Sequence, residues 1–170
     1  MYVELKNCIV RSYRHSDAES LALYANNKKI WLNLRDMFPH PYKIENAKMF
    51  IERAISSNPE TNFAICMGER AVGGIGYSLH SDVERISAEL GYWLGEPFWG
   101  RGITTEAVKA VTMYAINEHG LKRVFAVPYE TNKASHRVLE KAGYVLEGRM
   151  RKSAIKDGKI LDQLLYAYVE

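Results

Sequence analysis

The segment GEPFWGRGITTEAVKAV, from Gly95 to Val111, sets glycines, aromatic residues and one arginine ahead of a helix-like run. The start of a helix offers N–H groups without partners and the positive end of its dipole. Glycine at that point lets an anion approach the backbone, so phosphate binding is the chemistry expected here. Arg101 could neutralise the anion or be a solvated side chain, and Thr104 or Thr105 could add a hydroxyl. A second candidate lies just upstream in RISAELGYWL (85–94). Alternation along a strand puts Ala88, Leu90, Tyr92 and Leu94 on one face and Glu89, Gly91 and Trp93 on the other. A carboxylate in the middle of an otherwise apolar strand is unusual, and a buried carboxylate is suited to general base work. Glu89 is therefore a candidate base, with an ion-paired or solvent-facing glutamate as the alternative. Further on, Asn132 is a favoured helix cap and Ser135 follows one turn in. Of the five histidines, His136 adjoins Ser135 and His40 sits in the Pro-rich stretch FPHPY.

Two common phosphate templates fit Gly95–Thr105 poorly. A P-loop finds its glycines in Gly95 and Gly100, but Arg101 replaces its lysine and Gly102 its magnesium-binding hydroxyl. A dinucleotide fingerprint finds Gly100 and Gly102, but Thr105 stands at its third glycine. That motif also follows the first strand of a repeated βαβ array. Here helices and antiparallel-looking strands come first.

The elements that must position these residues follow from periodicity. CIVRSY (8–13) predicts a strand. Ser16 and Glu19 match a capping box, so a helix should begin there with Leu21, Tyr24 and Ala25 on one side. The prolines of FPHPY (38–42) interrupt it. A second helix carries Ala47, Phe50, Ile51, Ala54 and Ile55 at helical spacing. Strands follow at 62–67, 71–79 and 85–94. The long helix after the glycine loop has Ala107, Val108, Val111, Tyr114 and Ala115 as its stripe and Gly120 as its cap. Then come a strand at 123–128, a helix at 132–143 with Ala134, Val138 and Ala142 four apart and Gly143 as its stop, and a hairpin about Asp157-Gly158. The class is mixed α/β, with a parallel crossover over the helix at 104–119.

A chain of 170 residues fits one domain, 1–170. Its composition, 47% hydrophobic and 25% charged, is that of an ordinary soluble protein. A net charge of +3 gives no case for nucleic acid, and no apolar run is long enough for a membrane. The N-terminus lacks a secretory pattern. Cys8 and Cys66 lie far apart, suggest no metal site and are expected as reduced, buried thiols, which points to a cytoplasmic setting. Arg149, Arg151, Lys152, Lys156 and Lys159 form a basic cluster, read as a solvated strand pair, with a rim attracting an anion as the sharper alternative. Monomer and homodimer both stay open.

AELGYWLGEPFWGRGITTEAV and ETNKASHRVLEKAGYVLEGRMR resemble the two signature blocks of the GNAT N-acetyltransferases, in their RimJ/RimL-like branch. The likeness covers nearly the whole chain and is strongest from 88 to 151. It implies a twisted, mostly antiparallel central sheet with a parallel central pair, flanked by helices. It also implies acetyl-CoA, released as CoA, as co-substrate, without a metal. The family loop [QR]-x-x-G-x-[GA] falls on Trp99, Gly100, Arg101, Gly102, Ile103 and Thr104. Only Gly102 meets it, but the donors are main-chain N–H groups. By resemblance the pantetheine arm runs beside Tyr92, Trp93 and Leu94, Asn132 contacts the cofactor, and Ser135 lies near the thioester sulfur. A tyrosine that many members carry seven residues after the asparagine is Leu139 here.

The resemblance implies direct attack of a primary amine on the thioester in a ternary complex. Glu89 would be the base, the Leu94 N–H the oxyanion donor and Ser135 the acid. The acceptor could be a protein N-terminal α-amine, a polyamine or another small amine, with WLNLRDMFPHPY (31–42) shaping its groove. Two other readings stay open: a CoA-binding regulatory module without turnover, which Leu139 favours, and a P-loop nucleotide binder.

Overall fold

The computed structural model describes residues 1–170. Its strands are β1 (Tyr2–Glu4), β2 (Ile9–Ser12), β3 (Asn62–Met67), β4 (Arg70–Leu79), β5 (Ser87–Leu94), β6 (Arg123–Ala126), β7 (Val145–Lys156) and β8 (Lys159–Val169). Its helices are α1 (Ala18–Ala25), α2 (Lys28–Trp31), α3 (Ile44–Ser56), α4 (Ile103–His119) and α5 (Lys133–Lys141). The strands form one sheet in the order β1-β2-β3-β4-β5-β6-β8-β7. Every neighbouring pair is antiparallel except β5–β6, which α4 joins as a crossover. The expected sheet, with its one parallel central pair, is therefore present.

Each face of the sheet has its own core. On one, Val10, Phe63, Ile65, Val72, Leu90 and Leu94 pack on Ala107, Val108, Val111 and Ala115 of α4. On the other, Leu21 and Ala25 of α1 and Ala47, Ile51 and Ala54 of α3 meet Ala64, Cys66 and Ala71. The small residues on both sides of this second interface let the helices lie close to the strands. A buried ion pair also ties that layer down: both guanidinium nitrogens of Arg11 donate to Asp17 at 2.8 Å.

Several local expectations are corrected. The capping role expected of Ser16 and Glu19 belongs to Asp17, whose carboxylate accepts the Arg14 N–H at 2.8 Å. Arg11 draws Asp17 inward and so fixes where the turn begins. β1 and α2 span only three and four residues, too short for a periodic signal; α2 is capped by Asn27, which accepts from the Lys29 N–H. In α5, Ser135, His136, Leu139 and Ala142 are buried and Val138 packs against the core, whereas Ala134 is exposed and lines the cavity.

The β7–β8 hairpin turns on Asp157 (φ 50°) and Gly158 (φ 73°), the left-handed pair that a two-residue hairpin demands. Its tip reaches the loop after α2. Lys156 Nζ lies 3.8 Å from the centre of the Trp31 ring and 2.7 Å from an oxygen of Asp36. The basic cluster is thus divided: Lys156 is buried as a clamp, and Arg149 pairs with Asp162 and Glu130. Only Lys156 departs from the solvated face: Arg149, Arg151, Lys152 and Lys159 are exposed.

Candidate active site

β5 and β6 run together only from Ser87 to Glu89, after which β5 continues alone beside β4. The Gly95 N–H donates to the Val72 carbonyl, which fixes the alternation of the β4–β5 ladder. Trp93, Gly91 and Glu89 therefore turn their amides to β4, and beyond the end of the β6 pairing Tyr92 and Leu94 turn theirs to the open edge. An extended amide-bearing arm can pair with such an edge. One acceptor is already engaged: Trp99 Nε1 donates to the Leu94 carbonyl at 2.7 Å.

The glycine loop lies at the end of this edge. A short turn over Glu96–Phe98 leads to Gly100 (φ 75°) and Gly102 (φ 79°), and Gly102 caps α4. A Cβ at either glycine would meet nothing within 4 Å, so the left-handed backbone, not crowding by the protein, selects glycine. The first amide of this stretch with a partner in the chain is that of Glu106, bonded to the Gly102 carbonyl. The N–H groups from Gly100 through Thr105 have no acceptor. This run of donors ahead of a 17-residue helix is an anion cradle. The Arg101 guanidinium stacks on Phe98, 5.7 Å from its centre. Asn7 holds the Glu106 carboxylate, donating to it from its main-chain N–H and its side-chain amide.

Across the opening, α5 presents Asn132 and Ser135. The Asn132 side chain accepts the Ser135 N–H at 3.2 Å. The Ser135 hydroxyl shares a 2.7 Å hydrogen bond with the Tyr92 phenol, which joins β5 to α5 at the mouth of the cleft. Burial pushes the Tyr92 phenol above the usual tyrosine range, partly offset by this bond, so it stays protonated. His136 is buried, bonds the Tyr129 carbonyl and stacks on Tyr166, away from the opening. Leu139 is wholly within the core.

On the opposite face of β5, Glu89 is not sealed from water. Its side chain is 25% exposed and pairs with Arg35 at 2.5 Å. Full burial of this carboxylate is not found, and the ion-paired alternative is. Trp93 meets Phe38 edge-on at 5.7 Å, and Phe38 lies 4.8 Å from Tyr42. Both halves open into one cavity of about 600 Å³, lined by Glu89, Tyr92, Trp93, Gly100, Asn132 and Ser135 among others.

Residues 7–145 match the family model described as Acetyltransferase (GNAT) domain. The chain belongs to the GNAT acetyltransferases. Among GNAT relatives, it is 32% identical over 162 residues to a probable N-acetyltransferase, YjcK, of Bacillus subtilis (strain 168), covering 90% of this chain and 88% of that one. It is 28% identical to an uncharacterized N-acetyltransferase, YoaA, of the same organism, covering 99% and 96%. In fold it matches RimL, a ribosomal L7/L12 alpha-N-protein acetyltransferase solved with coenzyme A, at a TM-score of 0.86 and 20% identity over 99% and 98% of the chains. Family membership implies acetyl transfer to an amine, and gives no support to the P-loop or non-catalytic readings. No group of three or more His, Cys, Asp or Glu is placed to hold a metal ion, and no helix is long and apolar enough to cross a membrane.

In this GNAT chain, two contacts of the cleft were missed by sequence reasoning. Arg35 carries no motif that would pair it with Glu89. Tyr92 carried a signal: a tyrosine on the inward side of a strand needs a partner for its hydroxyl.

Proposed function

We propose that the chain is an acetyl-CoA-dependent N-acetyltransferase in which residues 1–170 act as one catalytic domain. The observation that carries the reading is the run of unpartnered N–H groups from Gly100 to Thr105 beside the open edge of β5. A diphosphate fits that cradle, and a pantetheine arm fits the edge at Tyr92 and Leu94. Asn132 and Ser135 face the arm from α5. Acetyl-CoA supplies the activated acetyl group.

Glu89 takes a proton from the acceptor amine, directly or through water, as its nitrogen bonds to the thioester carbonyl. Leu94 lies five residues along β5 from Glu89, about 16 Å at the usual strand rise, so the open-edge N–H of Tyr92, nearer the base, is the donor to the oxyanion that forms. Ser135 gives its proton to the thiolate as the carbon–sulfur bond breaks. The Tyr92 phenol donates to the Ser135 oxygen, and the proton taken up by Glu89 returns to that oxygen through water, which restores both groups. The products are an N-acetylated amine and CoA thiol. The solved structure of RimL supports a protein α-amine as one acceptor class for this fold.

Calorimetry with CoA, followed by a thiol-release assay over peptide N-termini, polyamines and small amines, tests the reading. Heat on CoA addition and thiol release with at least one amine are expected. No heat from folded protein would remove the cradle from its role. Cys8 and Cys66 will not confuse the assay, because both are buried and burial pushes their thiols up to about 11.

A further inference from the structure

We propose that the acceptor is a primary amine with a single positive charge and an aromatic or bulky apolar group next to the amine. It would seat that group on β5 between Glu89 and Trp93. The proposal rests on the acetyltransferase reading above and names the substrate class for that same site.

Three side-chain positions of β5 face the α1–α3 layer: Glu89, Gly91 and Trp93. The outer two have α-carbons about 13 Å apart, four residues at the usual strand rise. Between them the floor is bare. Gly91 pairs across the sheet with Gly76, and a Cβ added at Gly91 would meet nothing within 4 Å. Glycine inside a strand weakens it, and commonly marks a place where something else comes close to the backbone. Here the space above it belongs to the cavity.

One end of the slot is a carboxylate and the other is aromatic. The Trp93 indole lies over Gly74, where a Cβ would come within 2.9 Å of Nε1, and Phe38 meets it edge-on. An apolar group on the glycine floor would be covered by these rings, with its amine at Glu89.

Charge limits the rest of the acceptor. The charged side chains lining the cavity are Lys29, Arg35 and Glu89. Lys29 is held by Glu96, and Arg35 pairs with Glu89. Arg35 engages one oxygen of Glu89, Oε1, which leaves the other to receive one ammonium, and a second ammonium would face Arg35. The lining therefore opposes polyamines and multiply charged aminoglycosides. A small acceptor group would leave the floor and the indole uncovered.

The full chain is assayed for thiol release with acetyl-CoA and four acceptors: phenethylamine, a phenylalanine-initiated peptide, a serine-initiated peptide and spermidine. Burial of the ring predicts a kcat/KM for one of the first two about 10- to 100-fold above the last two. The better of the first two tells whether the group comes on a free amine or on a peptide. Gly91→Val should remove that preference and leave CoA affinity unchanged. Gly91→Ala, which the open space admits, should reduce it in part and guards against a folding failure in the larger variant. Preference for spermidine or the serine peptide would overturn the proposal, as would an aromatic preference that survives Gly91→Val. If CoA binds but no amine is acetylated, the catalytic reading fails separately. The slot is then judged by calorimetry of phenethylamine added to the CoA complex: saturable heat lost in Gly91→Val supports it, and no heat overturns it.

Discussion

On the α4 side of β5 the anchor for the cofactor is main chain. The donors are the amides of Gly100 to Thr105 and of the open strand edge, and side chains matter there chiefly by staying out of the way. On the α1–α3 side the site is made of side chains: Glu89 with Arg35, Trp93 with Phe38 and Tyr42, over a glycine floor. Main-chain recognition tolerates sequence change, because every residue except proline carries the same donor. Side-chain recognition does not. The first half is thus suited to a constant ligand and the second to one that differs between relatives.

Replacing Glu89 is the largest expected break of that contrast. Glu89→Gln should lower kcat by about 10²–10⁴-fold, the usual value of a positioned proton acceptor, with CoA affinity unchanged. Steady-state kinetics beside calorimetry checks both. Equal damage to both quantities would mean that the halves are not separable.

Asp17→Ala should act on the scaffold of the side-chain half. It leaves the Arg11 guanidinium buried without its carboxylate, at a cost of about 3–5 kcal/mol. Denaturant unfolding reads this directly. A loss below about 1 kcal/mol would show that water reaches Arg11 and that the layer does not depend on the pair.

Alkali should test both cores together. Burial lifts Cys8 and Cys66 from 9.0 to about 11 and Tyr42 from 10.0 to about 12. The unfolded chain then gives up these protons before the folded chain does. Their contribution to stability is whole below pH 9, declines as pH rises, and is lost through about pH 11 for the thiols and 12 for Tyr42. Thermal unfolding followed from pH 7 to 11 should show a falling Tm above about pH 9. A flat profile would place these groups in contact with water.

The same division explains what was legible in the sequence. The glycine loop could be found because a left-handed backbone ahead of a helix selects glycine, and Gly100 and Gly102 carry that requirement in their identity. β3, β4, β5 and the Asp157-Gly158 hairpin were legible for a similar reason: alternation and turn chemistry are local. The pairing of Arg35 with Glu89 was not, because it joins residues 54 positions apart through a loop with no periodic pattern. Nor was the inward place of Ser135 in α5, whose hydroxyl bonds Tyr92 across the cleft while Ala134 beside it stays exposed. Ser16 and Glu19 offered a well-formed local cap, and a long-range ion pair at Asp17 displaced it.

Gly102→Val should sharpen the main-chain side of the comparison. The cause is not a clash, since the space beside Gly102 is open, but its φ of 79°. A branched residue there costs about 1–2 kcal/mol or turns the amides out of line, so CoA should bind roughly tenfold more weakly. Acceptor preference at saturating acetyl-CoA should not change. A shift in that preference would mean that the cradle also shapes the acceptor slot.

Trp99→Phe is the smallest and most discriminating change. The Trp99 indole N–H occupies the Leu94 carbonyl, on the very edge where the pantetheine arm would pair. Two outcomes are physically distinct. If the indole competes with the arm, its removal frees the acceptor and CoA binds more tightly. If it holds the loop in place while the arm uses the second lone pair, the cradle loosens and CoA binds more weakly. A carbonyl oxygen has two lone pairs, and Gly100 and Gly102 allow the loop many other conformations, so the second outcome is expected. Loss of one such bond is worth about 1 kcal/mol, or roughly a fivefold rise in the CoA dissociation constant. Tighter binding would show instead that this side chain restrains the main-chain half of the site.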